Sequence, residues 1–266
     1  MRRELGLTAV LVLLAGAGTG AATARAQSPA EPNGTAFDLL SLSVTASAAP
    51  VTFAGGGRQT WTGIAVSAAA GDPRRTVLEL SADAEHRQTT DVRLGLRATT
   101  RTRTGAWYAG GAITPGASFR DQWRAEAGGD LRIAPQLQGT IDARLAKYRS
   151  GLSVAINPGA TFRASPALSV SAAMINLFGA GGRYLAGGSL RADLAPRPGT
   201  GLFASFARYP DREADNVRTL RALAAGARFD LGRHWQLRLA ASDERRAASY
   251  HRQQAVLSLS YRFGPP

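Results

Sequence analysis

The chain has 266 residues, a formal net charge of +13, no cysteine and three histidines. Disulfides, thiolate metal sites and a cysteine nucleophile are excluded, and neither a histidine-rich metal site nor a cofactor is expected. The basic excess is almost wholly arginine, with Lys147 the one lysine, and Gly, Ala, Ser and Thr dominate in a way that suits close-packed strands.

Residues 1–26 read as a secretory signal. Arg2 and Arg3 supply the positive start, residues 5–14 an apolar run, and Ala24-Arg25-Ala26 a small-x-small cleavage site. The run is too short for a membrane anchor, which needs about 20 residues. Residues 27–35 (QSPAEPNGT) read as a short tether. No later stretch has 18 consecutive apolar residues, so no helical span is expected.

From residue 36 onward apolar and polar residues alternate, the period of a strand. Leu40, Leu42, Val44 and Ala46 alternate with Ser and Thr. Leu78, Leu80, Ala82 and Ala84 alternate with Glu79, Ser81, Asp83 and Glu85. Val92, Leu94 and Leu96 alternate with Arg93, Gly95 and Arg97. The pattern continues through Trp123–Ile133, 141–145, 190–194, 235–241 and 255–263. Turn signals such as Gly71-Asp72-Pro73, Ala134-Pro135, Ser165-Pro166, Pro196-Arg197-Pro198-Gly199 and Gly232-Arg233 separate the runs. Fourteen strands are predicted: 36–47, 58–70, 74–86, 89–101, 105–114, 120–133, 136–148, 151–163, 166–178, 183–195, 200–209, 217–231, 234–245 and 250–263. The segment Val217–Phe229 is rich in helix formers, but Gly226 and its strand-like neighbours favour strand.

The predicted strands match the ~9–11 residues of a tilted membrane strand better than the ~5–6 of a soluble sandwich. One face carries Leu, Val, Ala, Trp and Phe. The other carries Arg, Asp, Glu, Ser and Gly. In a membrane barrel the first meets lipid and the second lines the lumen. The predicted fold class is all-β: a single antiparallel transmembrane β-barrel of about 14 strands, with 12–16 possible, spanning 36–263 and followed by a 264–266 extension. A soluble secreted β-sandwich is the weaker architectural alternative.

Further motifs resemble the YaiO-type outer-membrane β-barrel family over about residues 36–263. They are Phe119-Arg120-Asp121 before a long strand, Ala146-Lys147-Tyr148 at a strand end, and Gly181-Gly182-Arg183-Tyr184 opening a strand. Pro198-Gly199-Thr200-Gly201 in a turn and the closing Tyr261-Arg262-Phe263 complete the set. The resemblance implies a single barrel in a Gram-negative outer membrane, inserted by the barrel assembly machinery. Some relatives belong to polysaccharide systems. Family barrels are richer in Tyr and Trp, and here Gly264-Pro265-Pro266 follow the closing Phe263.

With both termini periplasmic, the outer loops fall near 48–57, 87–88, 115–119, 149–150, 179–182, 210–216 and 246–249, none obviously long enough to fold inward as a plug. The expected aromatic girdles are Trp61, Trp107, Tyr108, Trp123, Tyr148, Tyr184, Tyr209, Trp235, Tyr250, Tyr261 and Phe263. The lumen-lining candidates are Arg93, Arg97, Arg124, Glu126, Asp130, Arg132, Asp142, Arg144, Arg191, Asp193, Arg228, Asp230 and Arg238, together with Glu79, Asp83 and Glu85. Two readings stay open: an ion-pair network that fills the barrel, or a pore whose basic bias favours anionic solutes. Arg93, Arg97, Arg124, Arg144 and Arg238 would set the anion preference. The rim arginines Arg87, Arg120, Arg149, Arg183, Arg245, Arg246 and Arg252 are candidates for contact with lipopolysaccharide. Nucleic acid is not an expected partner, since no recognition motif is present.

The function expected is therefore a structural or channel-like envelope barrel, linked to polysaccharide or small anionic solute passage, without catalytic residues. The alternative is a lipid- or polysaccharide-modifying barrel enzyme at the outer rim. For it the one cluster worth naming is His251 with Ser249, Asp243 and Glu244. His86 lies at the same rim and His234 at the periplasmic one. The Gly-rich stretch 179–182 reads as a turn.

Overall fold

The computed structural model describes residues 38–179, 184–213 and 216–263. The expected signal, tether and C-terminal extension, and most of the 179–182 stretch, lie outside the described residues. Fourteen strands follow in order: β1 (Leu39–Phe53), β2 (Arg58–Gly71), β3 (Thr76–His86), β4 (Thr90–Arg101), β5 (Gly105–Ile113), β6 (Trp123–Ala134), β7 (Leu137–Tyr148), β8 (Gly151–Arg163), β9 (Leu168–Phe178), β10 (Tyr184–Arg197), β11 (Thr200–Glu213), β12 (Asn216–Leu231), β13 (Trp235–Arg246) and β14 (Tyr250–Arg262). Each pairs antiparallel with the next, and β1 pairs with β14 to close the barrel.

Closure leaves no sheet edge, so the spanning backbone satisfies its polar groups internally, as a lipid environment demands. The closing seam runs from Ser41↔Arg262 to Phe53↔Tyr250. On its inner side hydroxyls bridge the strands, Ser43 to Ser260 at 2.8 Å and Thr45 to Ser258 at 2.9 Å. Large exposed apolar side chains sit at alternate positions around the wall, as at Ile64, Leu80, Leu94, Leu190, Leu223 and Leu257. Facing outward, they form the lipid-contacting surface, and the alternate positions line the lumen. The 217–229 segment is strand, in β12.

Strand boundaries fall within three residues of the sequence expectation, except at two outer ends. β1 continues to Phe53 rather than 47, and β11 to Glu213 rather than 209. The 48–57 and 210–216 stretches are thus mostly paired strand, not loop. Both contain a proline, which cannot donate to a ladder. The β1–β14 register skips from Ala48 to Val51, so Pro50 sits where that ladder is interrupted. The β10–β11 ladder ends at Arg208, so Pro210 pairs only toward β12.

Two lumen aromatics show why the wall is glycine-rich. Phe203 crosses Gly226 so closely that a Cβ there would lie 2.4 Å from the ring. Tyr108 lies over Gly128 in the same way. Each ring carries an arginine on its open face, Arg191 at 4.3 Å and Arg97 at 3.7 Å.

Candidate functional site: a closed outer mouth

The segment between β5 and β6, residues 114–122, folds into the barrel, contrary to the expectation that no loop could. The cause is one carboxylate. Asp91 opens β4 on its inner face and is 2% exposed. Its oxygens accept the backbone N–H groups of Ser118 at 2.9 Å and of Phe119 and Arg120 at 3.0 Å each. Three converging donors make a nest that a neutral side chain could not match. Thr114, Ala117 and Asp121 are consequently buried.

The pinned loop places Arg120 between Asp83 and Glu85 of β3. It contacts Asp83 closely and Glu85 at 2.9 Å. Burial opposes its charge, but the two carboxylates outweigh that and hold its pKa above the usual guanidinium value. Arg93 bonds Asp83 at 3.0 Å and approaches Asp121 at 3.6 Å. Arg87, in the β3–β4 turn, pairs with Glu85 at 2.7 Å and lies between the rings of Trp61 and Phe119, at 4.0 and 4.1 Å. Burial lowers its pKa despite Glu85. A guanidinium sandwiched by aromatics gains from both faces while remaining out of water.

The neighbouring strands β2, β1 and β14, and β13 to β11 beyond them, supply the rest of the closure. Trp61 packs on Tyr250 at 5.9 Å, with Ala49 and Val51 buried beside them. The Tyr250 hydroxyl donates to Glu244 at 2.6 Å, and Arg252 pairs with the same carboxylate at 2.9 Å. Arg246 pairs with Asp211 at 2.7 Å, both almost fully buried. Tyr209, Leu177 and Leu220 form a second apolar cluster. This end of the lumen therefore holds the inward-folded loop together with buried paired charges and aromatics.

Five residues expected in the aromatic girdles, Trp61, Tyr108, Tyr148, Tyr209 and Tyr250, instead point inward, and all but Tyr108 lie buried toward the outer end. Trp107, Trp123, Tyr184, Trp235, Tyr261 and Phe263 face outward. Parity decides this: Trp61 shares its face with Gly63, Ala65 and Ser67, not with Ile64 and Val66. Likewise Arg87, Arg120, Arg246 and Arg252, expected at an exposed rim, are held inside. Arg149 and Arg245 are exposed, and Arg183 lies outside the described residues.

Below the closure, toward the chain termini, the lumen is lined by hydroxyl, small and charged groups. All of the lumen candidates take inward parity. Arg97 and Arg124 approach Glu126 at 3.9 Å. Asp130 accepts from Gln138, and Asp142 from Tyr108. Arg132 sits near the end of β6 on the side of the chain termini, and Arg144 lies two residues before Ala146 on β7. Arg191 pairs with Asp193 at 2.6 Å. Asp230 accepts from Gln236 at 2.8 Å and meets Arg262 at 3.3 Å. Arg228 and Arg238 are direct cross-strand partners. Like charges placed opposite one another are unfavourable, and the carboxylates of Asp193 and Asp230 lie on the same wall.

The rim cluster weighed for catalysis is split by the sheet. His251 and Asp243 meet on the outward face at 2.6 Å. Glu244 faces the lumen with Arg252 and Tyr250. His86 bonds Thr90 at 3.0 Å, and His234 bonds the Arg262 carbonyl at the end near the chain termini.

No known family profile matches the sequence, and no curated protein does. Solved structures with this architecture do exist. The TodX monoaromatic hydrocarbon channel deltaS2 mutant superposes with a TM-score of 0.59 at 8% identity, covering 85% of this chain and 90% of that one. The CymD monoaromatic hydrocarbon channel gives 0.57 at 10%, covering 85% and 89%. The translocator domain of the autotransporter NalP from Neisseria meningitidis gives 0.51 at 13%, covering 85% and 89%. At such identities the likeness is one of fold: the closed transmembrane barrel.

Proposed function

We propose that the chain is an outer-membrane diffusion channel of YaiO type for small anionic solutes, closed at rest at its outer mouth. The observation that carries this reading is the 114–122 loop, drawn into the lumen and fixed there by Asp91. A loop folded into the mouth of a polar lumen fits a gated passage better than a plain scaffold. Similar folds among monoaromatic hydrocarbon channels support passage through such a barrel. Their solute does not transfer, because a lumen lined by Arg228, Arg238, Arg97 and Ser and Thr hydroxyls suits charged solutes rather than hydrocarbons. In this reading the 1–26 segment is removed on export, and the barrel assembly machinery inserts the chain by its closing strand. The His251–Asp243 pair, facing lipid without Glu244, does not favour the enzymatic alternative.

Reversal potential in a salt gradient tests the proposal. The refolded protein should conduct chloride in preference to potassium, and Arg228→Glu with Arg238→Glu should move the potential toward cation selectivity. An unselective pore, or one unmoved by the double reversal, refutes the anion reading.

A further inference from the structure

The register of β11 to β2 builds a basic row on the outside of the barrel. Arg208 is the cross-strand partner of Arg221, Arg221 of Arg245, Arg245 of His251, His251 of Thr52, and Thr52 of Arg58. These residues share the outward parity of Phe206, Leu223, Leu257 and Ile64.

The height of the row is fixed by a second row. Leu231, Trp235, Tyr261 and Leu42 are mutual partners near the periplasmic ends of their strands, and Trp235, Tyr261 and Phe263 pack edge to face there. This is an aromatic girdle, which marks one membrane interface. Arg221, Arg245, His251 and Thr52 each lie ten residues from the girdle member on the same strand. Ten residues of a strand tilted by about 40° rise about 25 Å, the height of the apolar band of such barrels. The basic row therefore stands at the opposite interface, away from the chain termini.

Asp243 compensates one end of it, bonding His251 at 2.6 Å and Arg245 at 3.2 Å. Arg208 and Arg221 make no hydrogen bond or ion pair within the chain among the described residues, though they face each other directly. Two uncompensated guanidinium groups at adjacent strands and at headgroup height match a phosphorylated headgroup, which each can bind bidentately.

We propose that this row, centred on Arg208 and Arg221, binds the phosphate groups of lipid A in the outer leaflet. The inference rests on outer-membrane placement and not on conduction, so its test is separate from channel recordings. Bisphosphorylated lipid A, dephosphorylated lipid A and phosphatidylglycerol are each titrated into the full barrel in maltoside micelles, and bound lipid is counted by native mass spectrometry. The wild type should hold bisphosphorylated lipid A at least tenfold more tightly than either other lipid. Arg208→Gln with Arg221→Gln should weaken it roughly thirtyfold, Arg208→Lys with Arg221→Lys less, and Arg74→Gln with Arg75→Gln, in the periplasmic turn, not at all. Heat-modifiable gel mobility checks folding, and the dephosphorylated arm needs no variant. Equal binding of the dephosphorylated lipid or of phosphatidylglycerol, or unchanged binding by the glutamine pair, overturns the proposal.

Discussion

Asp91→Asn should release the outer closure without harming the barrel. The carboxylate accepts backbone N–H groups from Ser118, Phe119 and Arg120, with Oδ2 taking part in all three. In asparagine the remaining carbonyl oxygen can take the Oδ2 place but carries no charge, and the NH2 in the Oδ1 place meets the Ser118 N–H with a donor of its own. Hydrogen bonds to a charged acceptor contribute about 1.5–3 kcal/mol each. Losing one or two of them shifts the closed-to-open balance of the loop by about 3 kcal/mol, or roughly a hundredfold. Because the chain has no cysteine, a single probe reads this cleanly. Ala117→Cys, at a position 4% exposed, should react slowly with a charged maleimide in the wild-type background. On the Asp91→Asn background it should react about a hundredfold faster, with heat-modifiable mobility unchanged. Equal labelling rates in both backgrounds would refute the claim that Asp91 holds the loop down.

Two further substitutions test the assignment of faces and the close approaches in the wall. Leu80→Arg, at an exposed lipid-facing position of β3 (62%), should destabilise the barrel by about 2–4 kcal/mol in urea unfolding from lipid vesicles, whereas its lumen neighbour Ser81→Arg should cost far less. Equal effects would mean the two faces are misassigned. Gly226→Ala should cost about 1–3 kcal/mol, because the new Cβ meets the Phe203 ring and the Leu239 carbonyl. Gly55→Ala, with open space around it, should be neutral by the same measurement.

The barrel itself was legible because its driving pattern is local. Alternation at Leu78–Glu85 or Val92–Arg97 declares both the strand and its two faces, and turn residues mark most hairpins. The closed mouth was not legible. Its cause is a contact between Asp91 and a backbone 27 to 29 residues away, which no periodicity records. Loop length misled as well, since nine residues reach far when one end is drawn down by a carboxylate. Pro50 and Pro210 lie within strands, and register alone shows that each sits where one of its two ladders is interrupted or ended. The inward aromatics were a different case. The parity of Trp61 with Gly63 and Ala65, and of Tyr148 with Ala146, was available in the sequence and outweighs proximity to a strand end. The basic row needed the pairing of six strands. Arg208, Arg221 and Arg58 are far apart in sequence, and only register brings them into line.

The central claim is a transmembrane pore closed by its own loop. Conductance in a planar lipid bilayer tests it most directly, comparing the wild type with a variant in which residues 115–121 are replaced by a two-residue turn. The wild type should insert stably and open rarely. The shortened variant should show long-lived unitary steps, carried mainly by anions. Stable insertion of both proteins with no steps from either would contradict the account and leave a filled, non-conducting barrel.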